Sequence, residues 1–277
     1  MSLGRFINYD GRIIRSNTPL VTIPEFLSWD HYANIDIRVS KEGIIYSQEI
    51  WTDMIRKSGI LGIEIPDTLL LHQRFERELL RTAHQNDCED GIFKITIFPE
   101  KHYSIELTST PINYWELKRE GWWINIMDYS DMLALPYWYR HHKVWEPIKK
   151  VALEMGFDSF LITNKDEEII EMLHGGFFYV QNKQLYYVGD PLHMNAISQQ
   201  IVNHYTLEGS KIIHQLSVPK ETIITADEIF RFDNARGLQW VLAIEQRRYF
   251  SMIGKQIFRW LYQRWEKKAT RQSISLH

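Results

Sequence analysis

Residues Met155–Tyr187 read MGFDSFLITNKDEEIIEMLHGGFFYVQNKQLYY. The stretch reads as three short strands broken by two turns. Phe160-Leu161-Ile162 is apolar, and Asn164-Lys165-Asp166-Glu167 turns the chain. Ile169-Ile170 leads back, with a lone acid, Glu171, inside the apolar segment. After Gly175-Gly176 come Phe177-Phe178-Tyr179-Val180, the turn Gln181-Asn182-Lys183, and Leu185-Tyr186-Tyr187. Period-two apolar and aromatic runs separated by turn residues signal strands and hairpins. Glu171, flanked by Ile170 and Met172, is the residue that needs a reason. Strand alternation alone permits an outward-facing acid; a functional carboxylate is the other reading.

The rest of the chain sets bounds on what this stretch can belong to. Its 277 residues allow one large domain or two small ones. The 13% aromatic share supplies ample core-forming area. A net charge of −3 and a pI near 6.4 point to neither a nucleic-acid nor a membrane partner. The single cysteine, Cys88, excludes an internal disulfide and fits a reducing compartment. The opening Met-Ser-Leu-Gly-Arg-Phe lacks the apolar segment of a secretion signal, and no apolar run approaches membrane-spanning length. A cytoplasmic location is expected.

Taken in order, Phe6–Tyr9, Asp10-Gly11 and Arg12–Ile14 predict a hairpin, because Asp-Gly supplies the two positive-φ turn positions. Tyr32–Val39 and Gly43–Tyr46 read as paired strands. Ser47–Gly59 reads as a helix with Ile50, Trp51, Met54 and Ile55 on one side. A second helix is expected from Pro66 to about Gln85, capped by Asp67. Strands follow at Ile92–Phe98, Tyr103–Thr108 and Trp122–Met127, then a helix at Val144–Met155. Beyond Tyr187 the pattern predicts a helix at Asn195–Leu207, a strand at Lys211–Ser217, and a short helix or turn at Pro219–Ala226. Strands at Glu228–Phe232 and Leu238–Ile244 precede an amphipathic helix over Phe250–Trp265. The tail from Lys267 is expected to fray.

In order and spacing these elements resemble the fold-type IV pyridoxal-phosphate (PLP) enzymes. That superfamily holds branched-chain aminotransferases, D-amino-acid aminotransferases and 4-amino-4-deoxychorismate lyases. The resemblance extends from Phe6 to about Leu261. It implies the α+β two-domain fold of the class-IV aminotransferases: a small N-terminal domain over 1–127, a linker over 128–140, and a larger C-terminal domain with a barrel-like sheet over 141–277. It also implies a homodimer, a pocket between domains, PLP as cofactor, and a small amino or keto acid as substrate.

In such enzymes PLP bonds to a lysine, and a carboxylate keeps the pyridine nitrogen protonated so that the ring can accept electrons. Amides, hydroxyls and an arginine hold the phosphate. By resemblance Glu171 stands at the carboxylate position. The lysine position, about eighteen or nineteen residues before Gly156, falls on Tyr137 or Trp138, which carry no amine. The nearest lysine, Lys143, serves only if the linker is reshaped; otherwise it is a solvated lysine at a helix start. Met54 takes the arginine position within Trp51-Thr52-Asp53-Met54-Ile55, and Arg56 faces another side of the helix.

The first phosphate loop of the family corresponds to Asn195-Ala196-Ile197-Ser198-Gln199, where Asn195 can cap and Ser198 offers a hydroxyl at a positive helix end. An ordinary helix cap is the alternative. The second loop runs from Ala226 to Val241, with Asn234 and Ala235 at the cofactor side. There Asp233 sets a negative charge where a phosphate should approach. The family's Arg-Tyr-Gly-Asp segment corresponds to Leu27-Ser28-Trp29-Asp30-His31, without the arginine or the glycine. His174 reads either as a polar neighbour of a ligand or as a satisfied strand histidine. His141-His142 lacks the spacing of a zinc site, and no metal is assigned.

Two functional readings follow. One is a non-catalytic relative that has kept the fold and lost the cofactor, with Trp29, Tyr137 and Trp138 partly filling the pocket. The other is an active PLP-dependent aminotransferase or lyase in which Lys143 is a displaced Schiff-base lysine.

Overall fold

A computed structural model describes residues 4–19, 32–110, 121–128, 145–173 and 175–274. The chain forms two compact units, Met1–Tyr114 with Trp265–His277, and Trp115–Arg264.

In the first unit, β1 (Phe6–Tyr9) and β2 (Arg12–Arg15) form the hairpin that Asp10-Gly11 calls for, with φ of 48° and 80° at the two turn residues. They join β3 (Ala33–Ser40), β4 (Gly43–Ile44), β5 (Gly91–Ile97) and β6 (Tyr103–Ser109) in an antiparallel sheet of order β2-β1-β6-β5-β3-β4. The expected strand at Gly43–Tyr46 stops at Ile44, because Tyr46 turns left-handed (φ 52°) to start α1 (Ser47–Ile60). The single helix expected over Pro66–Gln85 is two: α2 (Asp67–Leu70) and α3 (His72–Gln85). Leu71 between them is extended, and its carbonyl accepts from the Arg74 and Phe75 amides at 2.9 and 3.0 Å. The break has a packing cause. Leu69 and the stripe Phe75, Leu79, Ala83 are all buried, yet an unbroken helix would put Leu69 and Phe75 on different faces. Asp67 is accordingly a first-turn residue and not a cap; Pro66 holds that place.

The second unit is built on a larger, barrel-like sheet. Its strands are β7 (Trp122–Asp128), β8 (Ser159–Thr163), β9 (Glu168–Met172), β10 (Phe177–Gln181), β11 (Gln184–Val188), β12 (Ile213–Gln215), β13 (Val218–Pro219), β14 (Glu228–Asp233), β15 (Gly237–Ile244) and β16 (Arg247–Arg248). Among the described residues their order is β12-β11-β10-β14-β15-β7-β8-β9-β13, with β16 on β15. Strand β7, expected to close the N-terminal domain, lies between β8 and β15 and parallel to both. The boundary expected at 127 thus falls within a strand of this unit, because β7 finds its hydrogen-bond partners there and not in the smaller sheet. Three helices lie within this unit, α4 (Trp145–Glu154), α5 (Ala196–Leu207) and α6 (Lys220–Thr225), and a fourth, α7 (Ile253–Ile274), begins in it and from Trp265 is counted with the first. Helix α7 runs on past Lys267, where fraying was expected.

The opening stretch becomes four strands, one more than its pattern suggested, because Glu168–Met172 is a full strand of its own. Leu161, Phe177, Tyr179, Val188, Ile229 and Val241 meet in the main core. Gly176 has no alternative at the entry to β10: a Cβ there would lie 2.1 Å from the Tyr187 hydroxyl and 2.7 Å from the Val188 carbonyl.

Candidate functional site

Glu171 is buried, at 7% exposure, so the outward-facing reading does not apply. The cause lies in the backbone. Leu161 pairs with Met172, Ile162 with Glu171 and Thr163 with Ile169, leaving Ile170 as the extra residue of a β-bulge. The bulge resets the alternation. Ile169 and Met172 both enter the main core, while Glu171 sits opposite Ile162 and shares its face. On that face Ile162 packs with Phe160, Leu173, and Ile148 and Ala152 of α4. Glu171 is thus a buried carboxylate on the strand position opposite Ile162.

The two expected phosphate loops do come together. Asn195 caps α5: its Oδ1 accepts from the Ser198 amide at 2.9 Å, and its Nδ2 donates to the Phe232 carbonyl at 2.7 Å. Ala196, Ile197 and Ser198 are buried in the first turn of the helix. The Ile197 amide donates to Asn234 Oδ1 at 3.3 Å, tying the helix start to the β14–β15 turn. Within that turn Asp233 Oδ1 accepts from the Ala235 and Arg236 amides at 3.0 and 2.9 Å. Two guanidiniums flank the same carboxylate, Arg231 at 3.4 Å and Arg236 at 3.5 Å. Arg231, itself buried, also donates to the Leu173 carbonyl, linking this turn to the segment just after Glu171.

Burial pushes the Asp233 carboxyl up, but Arg236, Arg231 and the amides of Arg236 and Ala235 outweigh it and leave it below the usual aspartate value of 3.8. Its folded value is therefore lower than its unfolded one. The resulting stabilisation is present above pH 3.8 and is lost as pH falls through the folded value. Asp233→Asn should remove that part of the acid limb: urea midpoints of variant and wild type should converge as pH drops below 3.8. A constant offset at every pH would contradict this linkage.

No family model matches the chain, and no curated protein matches it by sequence. Solved structures do. The branched-chain aminotransferase of Thermoproteus uzoniensis, with norvaline, aligns at TM-score 0.73 and 17% identity over 94% of each chain. The Escherichia coli branched-chain aminotransferase aligns at TM-score 0.75 and 13% identity, covering 95% of this chain and 94% of its own. A hypothetical aminotransferase from Mycobacterium tuberculosis, in its PLP-bound form, aligns at TM-score 0.71 and 12% identity, covering 92% and 96%. The chain has the class-IV aminotransferase fold. At such identities the likeness is one of architecture, and each site residue has to be weighed by its own surroundings.

On this scaffold the anticipated residues fare differently. Glu171 offers a buried carboxylate. Asn195, Ala196, Ile197, Ser198, Asn234 and Ala235 form one cluster. Met54, at the arginine position, is wholly buried in the first unit, and Arg56 pairs with Asp53 at 2.5 Å. Lys143, Tyr137, Trp138, His141, His142, His174 and the segment 27–31 lie outside the described residues. Among the described residues no group of three or more His, Cys, Asp or Glu side chains is placed to hold a metal, and no helix is long and apolar enough to cross a membrane. The donor set does not fit a phosphate group. The Ile197, Ala235 and Arg236 amides already end on side chains of the chain, and the group at the centre of the turn is an anion. Sequence reading missed Arg231. The signal was present: it is the one charge among the apolar residues Ile229, Phe230 and Phe232.

Proposed function

We propose that this protein is a non-catalytic relative on the class-IV aminotransferase scaffold, a PLP-enzyme fold whose cofactor site is degenerate. The observation that carries this reading is the internal satisfaction of the phosphate-loop amides by Asn234 and Asp233. The sequence supports it independently. A ring, Tyr137 or Trp138, stands where the Schiff-base lysine is expected, and packing cannot replace an amine. Met54 stands where an arginine would meet the phosphate. Together these remove the covalent anchor and the anionic anchor of PLP.

One observation favours a second reading. A buried Glu171 is the carboxylate that a pyridine nitrogen requires, and a buried acid without function is uncommon. In that reading the protein is an aminotransferase or lyase acting on an amino or keto acid, with Lys143 as the cofactor-bonding amine, and it works as a homodimer. Titrating the purified protein with PLP separates the two. The non-catalytic reading expects no lysine-bound cofactor band near the visible edge at millimolar PLP. A band that saturates at one cofactor per chain overturns it.

A further inference from the structure

We propose that Asp233 is a built-in occupant of the anion cup between the β14–β15 turn and the start of α5, so that the chain fills with its own carboxylate the place an external phosphate would take. The inference rests on the non-catalytic reading and gives it a physical cause. A phosphate-binding turn works by aiming several N–H groups and one or more cations at a single point. Here that convergence exists, and its focus is Asp233. The Ala235 and Arg236 amides reach Oδ1 at 3.0 and 2.9 Å, Arg236 approaches the same oxygen at 3.5 Å, and Arg231 approaches Oδ2 at 3.4 Å. The Asp233 side chain is only 15% exposed, and Asn234 and Ala235 beside it are buried.

The neighbouring helix start is closed in the same way. Its second and third amides end on Asn234 and Asn195. A phosphate entering from solvent would have to displace these acceptors and sit beside a carboxylate held in its ionised form by two arginines. Like charges at such a distance in a poorly solvated turn repel strongly. One residue therefore both occupies the donors and supplies the repulsion. Its removal should leave the arginines and amides aimed at a vacated point, receptive to a compact oxyanion of the phosphate class.

Two variants divide occupancy from charge. Asp233→Ser shortens the side chain and removes the charge; Asp233→Asn removes the charge and keeps an amide-accepting oxygen. Each is melted in rising inorganic phosphate, against sodium chloride of equal ionic strength. A ligand that binds only the folded state raises the melting midpoint in proportion to its saturation. Phosphate should stabilise D233S with a half-effect concentration at least about tenfold below that of wild type, with D233N between them. Equal responses of wild type and D233S, including no response from either, overturn the proposal, as does a chloride response matching that of phosphate. If D233S does not fold, the same comparison of D233N with wild type decides: no gain over wild type overturns it. Inorganic phosphate needs no lysine, so failure here leaves the missing-amine reading standing. A lysine-bound PLP band in the wild type would remove that reading without touching the phosphate comparison.

Discussion

Phe178→Ala is expected to destabilise the second unit by about 3–5 kcal/mol. Phe178 is fully buried on β10. It stacks on Phe230 at 5.6 Å, meets Tyr187 edge-on at 5.0 Å and touches Phe232 at 6.5 Å. These rings come from three strands, β10, β11 and β14, so collapse around the lost ring would require neighbouring strands to shift together. The cavity should stay largely open, which places the cost at the upper end of the range for aromatic truncation. Lost aromatic pairing adds about 0.5–1.5 kcal/mol beyond the area term. Urea unfolding followed by circular dichroism should show a lower midpoint with an unchanged slope. A loss under about 1 kcal/mol would mean that the ring layer is not packed as described.

Glu228→Ala should cost about 2–3 kcal/mol by a different route. Glu228 is 6% exposed, and its two carboxylate oxygens accept from the Ile253 and Gly254 amides at 2.8 and 3.1 Å. It thus closes the N-terminus of α7 from a distant strand. Bonds to an ionised acceptor are about twice as strong as neutral ones, and a negative charge suits a helix N-terminus. Alanine would leave two amides without that acceptor in a site with little room for water. Glu228→Gln keeps one accepting oxygen and should lose roughly half as much. Faster amide exchange at Ile253 and Gly254 in the alanine variant would place the loss at this cap. Unchanged exchange there would argue against it.

What could be read from the chain alone divides along one physical line. Features fixed by neighbours in sequence were legible. The Asp10-Gly11 turn, the Ser47–Gly59 helix and the Asn195 cap each follow from local spacing, and each forms. The fold class was legible because the order of such elements is itself distinctive. Features fixed by distant partners were not. Trp122–Asp128 reads as a strand, but nothing in it says that it pairs with β15 and β8 and so joins the second unit. The break at Leu71 answers to burial on both sides of it. At the site, the charge of Asp233 was visible and its conflict with a phosphate was argued, but the two arginines that hold it were not seen. Arg231 sits in a strand whose alternation gives no hint that it turns toward a loop two residues on. The bulge at Ile170, which buries Glu171, leaves no mark in the local pattern either.

On the proposed non-catalytic reading no lysine of this chain bonds PLP, and reduction tests that reading most directly. The purified protein is incubated with PLP, treated with borohydride, digested and mapped by mass spectrometry. Scattered substoichiometric labelling of surface lysines, equal in native and urea-unfolded protein, is the expected result. One phosphopyridoxyl group per chain at Lys143, lost on unfolding before reduction, would contradict it.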